Sequence, residues 1–250
     1  MLRCWDFSET SQTVSLLLRG YGMLRGLAKG ARRERSPFSG GFEPTAIGEV
    51  SAIVKDGREL ATVTEFALRR VCHAARRSLA AHNAALYLVD LTHHAVHAGD
   101  PHPRAFDALC GALDGLERPF VAIAEYAWVL LEEAGYQPRV ELDGLSGDGP
   151  LGFDPQLGGL TVDPGPAGSR REGPWRVGRA TVEALTGLTA GGGVGAEVSE
   201  RVARLLAAYW TTILGRDLPT RDAIFGVSGV DPGVRTGHDA GMKGSVTCPS

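Results

Sequence analysis

Apolar residues recur along this chain with two different periods, and the change from one to the other near residue 67 sets the order in which sheet and helices form. Upstream, Thr13-Val14-Ser15-Leu16-Leu17-Leu18 predicts a strand that ends at the turn Arg19-Gly20-Tyr21-Gly22, and residues 23–28 return as a second strand. Residues 45–54 predict a third, followed by the hairpin signal Lys55-Asp56-Gly57-Arg58 and a closing strand over 60–66. Short strands separated by glycine turns at this spacing point to a small barrel, and a five-stranded OB-type barrel is the form most used for single strands of nucleic acid.

Downstream the spacing is helical. Leu68, Val71, Cys72, Ala75 and Leu79 mark one predicted helix face, with Arg69, Arg70, Arg76 and Arg77 opposite, and Leu86, Leu88, Val89, Leu91 and Val96 continue the pattern. After a break at Asp100-Pro101-His102-Pro103, the stripe Phe106, Leu109, Cys110, Leu113 and Leu116 predicts a second helix. Residues 120–135, nearly apolar throughout, predict the central helix of a bundle, and 177–188 and 197–214 predict two more. The expected fold class is therefore α+β: an N-terminal OB-fold β-barrel over 1–66, then an all-helical domain over 67–225. The Gly-, Ser-, Pro- and Asp-rich residues 226–250 predict a disordered tail.

Charge is divided between the same two parts. Residues 1–80 carry 13 Lys+Arg against 8 Asp+Glu, whereas the remainder is net acidic, so the whole chain is only −3. A positive field confined to one end steers a polyanion there. Its densest part is Lys29-Gly30-Ala31-Arg32-Arg33-Glu34-Arg35, four cations within seven residues, bounded by glycines and so placed on a strand end and a loop. A loop of this kind follows a phosphate backbone and gains affinity from counterion release. The candidate DNA-binding residues are Lys29, Arg32, Arg33 and Arg35, with Arg19 and Arg25 in support; a solvated basic loop is the competing interpretation. Tyr21 and Phe38 are candidates for base stacking or for turn and core packing. Arg69, Arg70, Arg76 and Arg77 form a second basic patch.

Other signals are weaker. No run of about 18 apolar residues is present to span a bilayer, nor a charged head followed by an apolar signal core, so a soluble cytoplasmic protein without membrane contact is expected. Cys4, Cys72, Cys110 and Cys248 lie far apart with no C-x-x-C pair, which argues against a disulfide framework and a tetrathiolate zinc site. His93 and His97 have i, i+4 spacing without the glutamate of H-E-x-x-H, and Gly191-Gly192-Gly193-Val194-Gly195 lacks the Lys-Ser/Thr that closes a phosphate loop. No nucleophile-and-base motif is present. The expectation is a non-enzymatic protein without metal or cofactor.

The order Leu2-Arg3, Asp6, Glu9-Thr10, Tyr21-Gly22, Ala28-Lys29-Gly30-Ala31-Arg32-Arg33, Gly40-Gly41 and Pro44 resembles the start of the RecO family of recombination mediators. Leu130-Leu131-Glu132-Glu133-Ala134-Gly135-Tyr136-Gln137-Pro138 is similar to the family's leucine-rich helix ending in Gly-Tyr-x-Pro, and Phe153-Asp154-Pro155-Gln156-Leu157-Gly158-Gly159 to its Phe-x-x-x-x-Gly-Gly turn. The resemblance covers roughly residues 2–225. Many RecO-like sequences carry two cysteine pairs for a structural zinc. The corresponding positions here, near Asp143, Ser146, Val162 and Gly165, hold no thiol, so a glycine-rich loop over 141–175 is expected in place of a zinc ribbon. The family also has about ten residues before Leu2-Arg3, which implies either a barrel open at that edge or a start further upstream.

What the resemblance implies is binding of single- and double-stranded DNA, annealing of complementary strands, and loading of RecA onto DNA coated with single-strand DNA-binding protein, together with RecR. It further implies that the helical domain binds the acidic C-terminal tail of single-strand DNA-binding protein. The alternative is a protein-interaction scaffold whose degenerate OB-fold no longer binds DNA.

Overall fold

β1 (Arg3–Asp6), β2 (Gln12–Leu18) and β3 (Gly22–Ala28) form an antiparallel meander in which β2 is covered on both sides. That double cover explains the unbroken run Val14-Ser15-Leu16-Leu17, all of it buried: Val14 and Leu16 point into the sheet's own core and Leu17 into the helical bundle. The computed structural model describes residues 1–33, 36–39, 41–142, 145, 149–166 and 173–226.

β4 (Phe38–Ser39), β5 (Ile47–Ile53) and β6 (Ala61–Arg70) complete the sheet, in the order β1-β2-β3-β6-β4 with β5 also on β6. Val14, Leu16, Leu24, Phe38, Val63 and Phe66 fill its inner face, so the sheet curls around one core. It is not a closed barrel. β1 is four residues long, and two backbone bonds, Met1 N to Ala46 O at 2.9 Å and Thr45 N to Met1 O at 3.0 Å, bring its start to the residues before β5 in place of a ladder. The parallel crossing of β3 and β6 is tight: a Cβ at Gly26 would lie 2.5 Å from Val63 Cγ2.

The helical face predicted over Leu68, Val71, Cys72, Ala75 and Leu79 does not form. β5 pairs with β6 along its whole length, out to Ile47 opposite Arg70, and this ladder overrides the local spacing. The sheet module thus passes the expected boundary at residue 66. After a 3-10 turn at Ala74–Arg76, Ser78 caps the first helix by accepting from Ala81 N at 3.1 Å. That helix, α1 (Leu79–Ala95), is followed by α2 (Pro103–Asp114), α3 (Pro119–Glu133), α4 (Arg179–Thr189) and α5 (Ala196–Leu214). The nearly apolar α3 lies at the centre, against α1, α2 and α5.

One small sheet corrects the all-helical expectation, and one further helix adds to it. Within the expected loop over 141–175 lie β7 (Leu151–Asp154), β8 (Gly159–Thr161) and the first residue of β9 (Trp175–Val177), which together form a three-stranded sheet. Asp154 Oδ1 accepts from Gln156 N and Leu157 N to form its turn, and Phe153 packs between Trp175 and Tyr209 of α5. A last short helix, α6 (Pro219–Phe225), folds back onto α1, where Phe225 meets Tyr87 and Phe120. Residues 227–250, expected as a disordered tail, lie outside the described residues.

Sheet, bundle and α6 meet at Asp90. This buried carboxylate on α1 pairs with Arg3 of β1 and accepts from Thr220 Oγ1 of α6 at 2.6 Å, with His94 Nε2 3.5 Å away. Beside it, Ser15 Oγ and His93 Nδ1 are hydrogen-bonded at 3.0 Å, which satisfies a fully buried serine. Removing the cation strands the charge of the buried Asp90, so Arg3→Ala is expected to destabilise the fold by about 3 kcal/mol. In thermal melts this appears as a drop of roughly 6–12 °C; an unchanged melting temperature would show that the pair of Arg3 and Asp90 does not join the modules.

Candidate nucleic-acid interface

Strand register organises the outer face of the sheet into rows. Arg3, Ser15 and Arg25 align across β1, β2 and β3, and Trp5, Thr13 and Leu27 form the next row on the same face. This second row continues to Thr62 on β6 and Ile53 on β5, while neighbouring residues that alternate with the rows along the strands, Cys4, Val14, Val63 and Ala52, belong to the inner core. Helices cover the face at Leu17 and Met23. The cover ends before the second row, where Trp5 is 41 % and Ile53 51 % exposed.

The basic loop stands beyond that row. Gly30 takes φ +71°, and its N–H donates to Ser11 Oγ at 3.3 Å; Arg33 N bonds Gly30 O and Arg32 N bonds Thr10 O, both at 3.1 Å. These bonds fold residues 29–33 against the β1–β2 turn, which carries the exposed Phe7. Lys29 and Arg33 are exposed without a carboxylate partner among the described residues, as is Arg25. Arg32 pairs with Asp6, but both side chains are about half exposed, and a solvated pair of this kind is worth about 0–1 kcal/mol. An incoming phosphate therefore competes for Arg32 at little cost. Arg35 lies outside the described residues.

The other candidates separate from this group. Arg19 sits at the opposite end of the β2–β3 hairpin and binds Asp107 of α2 through two donors, at 2.8 and 2.9 Å, which holds the Asp107 carboxyl below its ordinary pKa. Phe38 is a core residue whose ring is tilted against that of Phe42, and Tyr21 lies in the Arg19 turn. The second basic patch is not a helix face. Arg69 pairs with Glu49, Arg70 with Asp114, Arg76 with Glu43 and Arg77 with Glu117, four surface pairs that stitch the sheet's end to its surroundings. His93 and His97 are not neighbours on a helix, because α1 ends at Ala95, and among the described residues no cluster of three metal-binding side chains occurs.

Comparison with known proteins gives this geometry a context. Residues 1–71 match the family model described as Recombination protein O N terminal, and residues 76–221 the model described as Recombination protein O C terminal. The chain belongs to the recombination protein O family. Proteins named DNA repair protein RecO are similar to it: one from Anaeromyxobacter sp. (strain Fw109-5) is 31 % identical over 88 % of this chain and 91 % of its own length. Another, from Rhodopirellula baltica, is 39 % identical over 56 % of this chain and 53 % of its own length. The boundary between the two family models, at residues 72–75, coincides with the irregular link between β6 and α1.

In this family member the helical module carries a surface feature of its own. Between α2 and α3 lies a cavity of about 310 Å³ lined by Gly111, Gly115, Arg118, Val121, Tyr126 and Val129 among others. Arg118, exposed and without a carboxylate partner among the described residues, stands at the start of α3, whose first N–H groups have no side-chain cap. The Gly191–Gly195 segment simply connects α4 to α5, with Val194 N donating to Glu125 Oε1 at 3.1 Å. No helix among the described residues is long and apolar enough to cross a membrane.

Acid loads this interface. Burial pushes the His93 imidazole down to about 4, and the charges of Arg3, His94 and Arg25 act in the same direction while Asp90 opposes them. His94 is lowered as well, by burial and then by Arg216. The unfolded chain takes up a proton near the ordinary histidine pKa of about 6.5, before the folded one does, so stability is complete above that pH and falls towards 4. Thermal melts are expected to drop in temperature between pH 7 and pH 5, and His93→Asn to reduce that drop. An identical pH dependence in the variant would contradict the assignment.

Proposed function

We propose that this protein binds single- and double-stranded DNA through the phosphate backbone, anneals complementary strands, and helps load RecA onto DNA coated with single-strand DNA-binding protein, acting together with RecR. Membership in the recombination protein O family supports the broad role in DNA repair and recombination. One observation carries the reading of the surface. Among the described residues up to Arg77, Arg3, Arg19, Arg32, Arg69, Arg70, Arg76 and Arg77 have carboxylate partners, whereas Arg25, Lys29, Arg33, Lys55 and Arg58 have none and stand around one open sheet face. Cations left free there screen phosphate repulsion between two strands without reading sequence, which is what annealing requires.

The loop variant Lys29→Ala/Arg32→Ala/Arg33→Ala/Arg35→Ala tests this. For an oligonucleotide, log K against log salt is expected to become shallower by about 3, the share of four single-strand phosphate contacts. Annealing is expected to slow in parallel. Wild-type salt dependence and annealing in this variant would remove the loop from the interface.

The groove between α2 and α3 supports the proposed contact with the acidic C-terminal tail of single-strand DNA-binding protein. An apolar pocket accepts the tail's side chains while Arg118 and the uncapped start of α3 attract its carboxylates. Arg118→Glu is expected to weaken binding of a fluorescent tail peptide at least tenfold, roughly the 1.4 kcal/mol expected from losing one charge-assisted contact. Unchanged peptide affinity would place the tail elsewhere.

A further inference from the structure

The row of Trp5, Thr13, Leu27, Thr62 and Ile53 crosses five strands of the open face, a span of about 19 Å. Its side chains are aromatic, aliphatic or small and uncharged, and cations border it on both sides. Arg25 stands one row away, and the β5–β6 turn, which bears Lys55 and Arg58, both without a carboxylate partner among the described residues, lies on that same side because Ala61 is level with Gly26. Lys29 and Arg33 occupy the other side. Trp5 itself leans on the His93 ring, with centroids 5.8 Å apart and planes at 57°, so neighbouring side chains set its orientation while 41 % of it stays open.

We propose that this row is a lane for an unpaired DNA strand, with a base stacked on the Trp5 indole and the flanking phosphates held by the cations on either side; the inference rests on the DNA-binding function proposed above. Every nucleobase has a π-face, so such a lane is indifferent to sequence. It is not indifferent to pairing. Bases inside a duplex are already stacked on one another and offer the protein only backbone, so a duplex engages the bordering cations and leaves the row empty. The lane thus separates two kinds of DNA on one face: phosphate contact common to both, and stacking available to the single strand alone. His93 supports the indole from below as a positioning residue.

Tryptophan fluorescence reads this contact directly, because Trp128, Trp175 and Trp210 are all buried and Trp5 is the exposed one of the four. Addition of oligothymidylate to the wild-type protein is expected to quench the Trp5 emission, and a blunt duplex of equal length to leave it unchanged. In anisotropy titrations Trp5→Ala is expected to weaken oligothymidylate binding by about 5- to 100-fold with duplex affinity unaltered, and Trp5→Phe, which keeps an aromatic face, to stay within about threefold of wild type. Trp5→Phe should also abolish the quenching while retaining the binding. Wild-type oligothymidylate affinity in Trp5→Ala, equal loss of single-strand and duplex binding in a variant with an unchanged melting temperature, or quenching that persists in Trp5→Phe would each overturn the lane. A wild-type protein that binds neither DNA at low salt fails the proposed function instead, so the two failures are told apart.

Discussion

One buried carboxylate sets how the two modules of this protein lie against each other. Asp90 receives Arg3 from the first strand and Thr220 from the last helix, and it does so from the middle of α1, the helix against which the sheet rests. A buried ion pair contributes little net stability compared with apolar residues of the same shape, yet it tolerates few alternative arrangements. Its effect here is directional. Beside the Asp90 contact, Leu17 and Met23 are sealed against helices, and two rows away the same sheet face is open at Trp5. The exposed surface is therefore defined by where α1 stops covering the strands.

That boundary gives the charge distribution its meaning. Most arginines of the N-terminal third are engaged in ion pairs that hold secondary elements together, including the four that look like a second basic patch in the sequence. The cations of this third without a carboxylate partner among the described residues surround the open rows. The field that a polyanion meets is thus narrower than the count of 13 cations in the first 80 residues suggests, and it coincides with Trp5, an exposed aromatic side chain that His93 holds in place.

Local sequence encodes some of this and not the rest. β2 and α3 are legible as nearly unbroken apolar runs because neighbours cover them on more than one side, α2, α4 and α5 because one apolar stripe of each faces the core, and the basic loop because its charges are contiguous. β6 extends to Arg70 because β5 pairs with it there, a partner more than fifteen residues away that no window around Leu68 contains. The strands β7 to β9 are three or four residues long and α6 is seven, too short for any period to register. The row through Trp5 and Ile53 escapes the sequence for a related reason: five residues from five strands become neighbours only through register, and each is unremarkable where it stands in the chain. Ser78, by contrast, carries a local signal, a serine immediately before a helical run, that places the start of α1 at Leu79, well beyond the start that the stripe through Leu68 implies.

The central claim is that DNA lies on the open face of the N-terminal sheet. Ultraviolet cross-linking of an oligothymidylate to the whole protein, followed by mass mapping of the adducts, measures this directly. The account predicts adducts confined to peptides from residues 1–33 and 53–62. Adducts found only on the helical module, within 79–226, would contradict it.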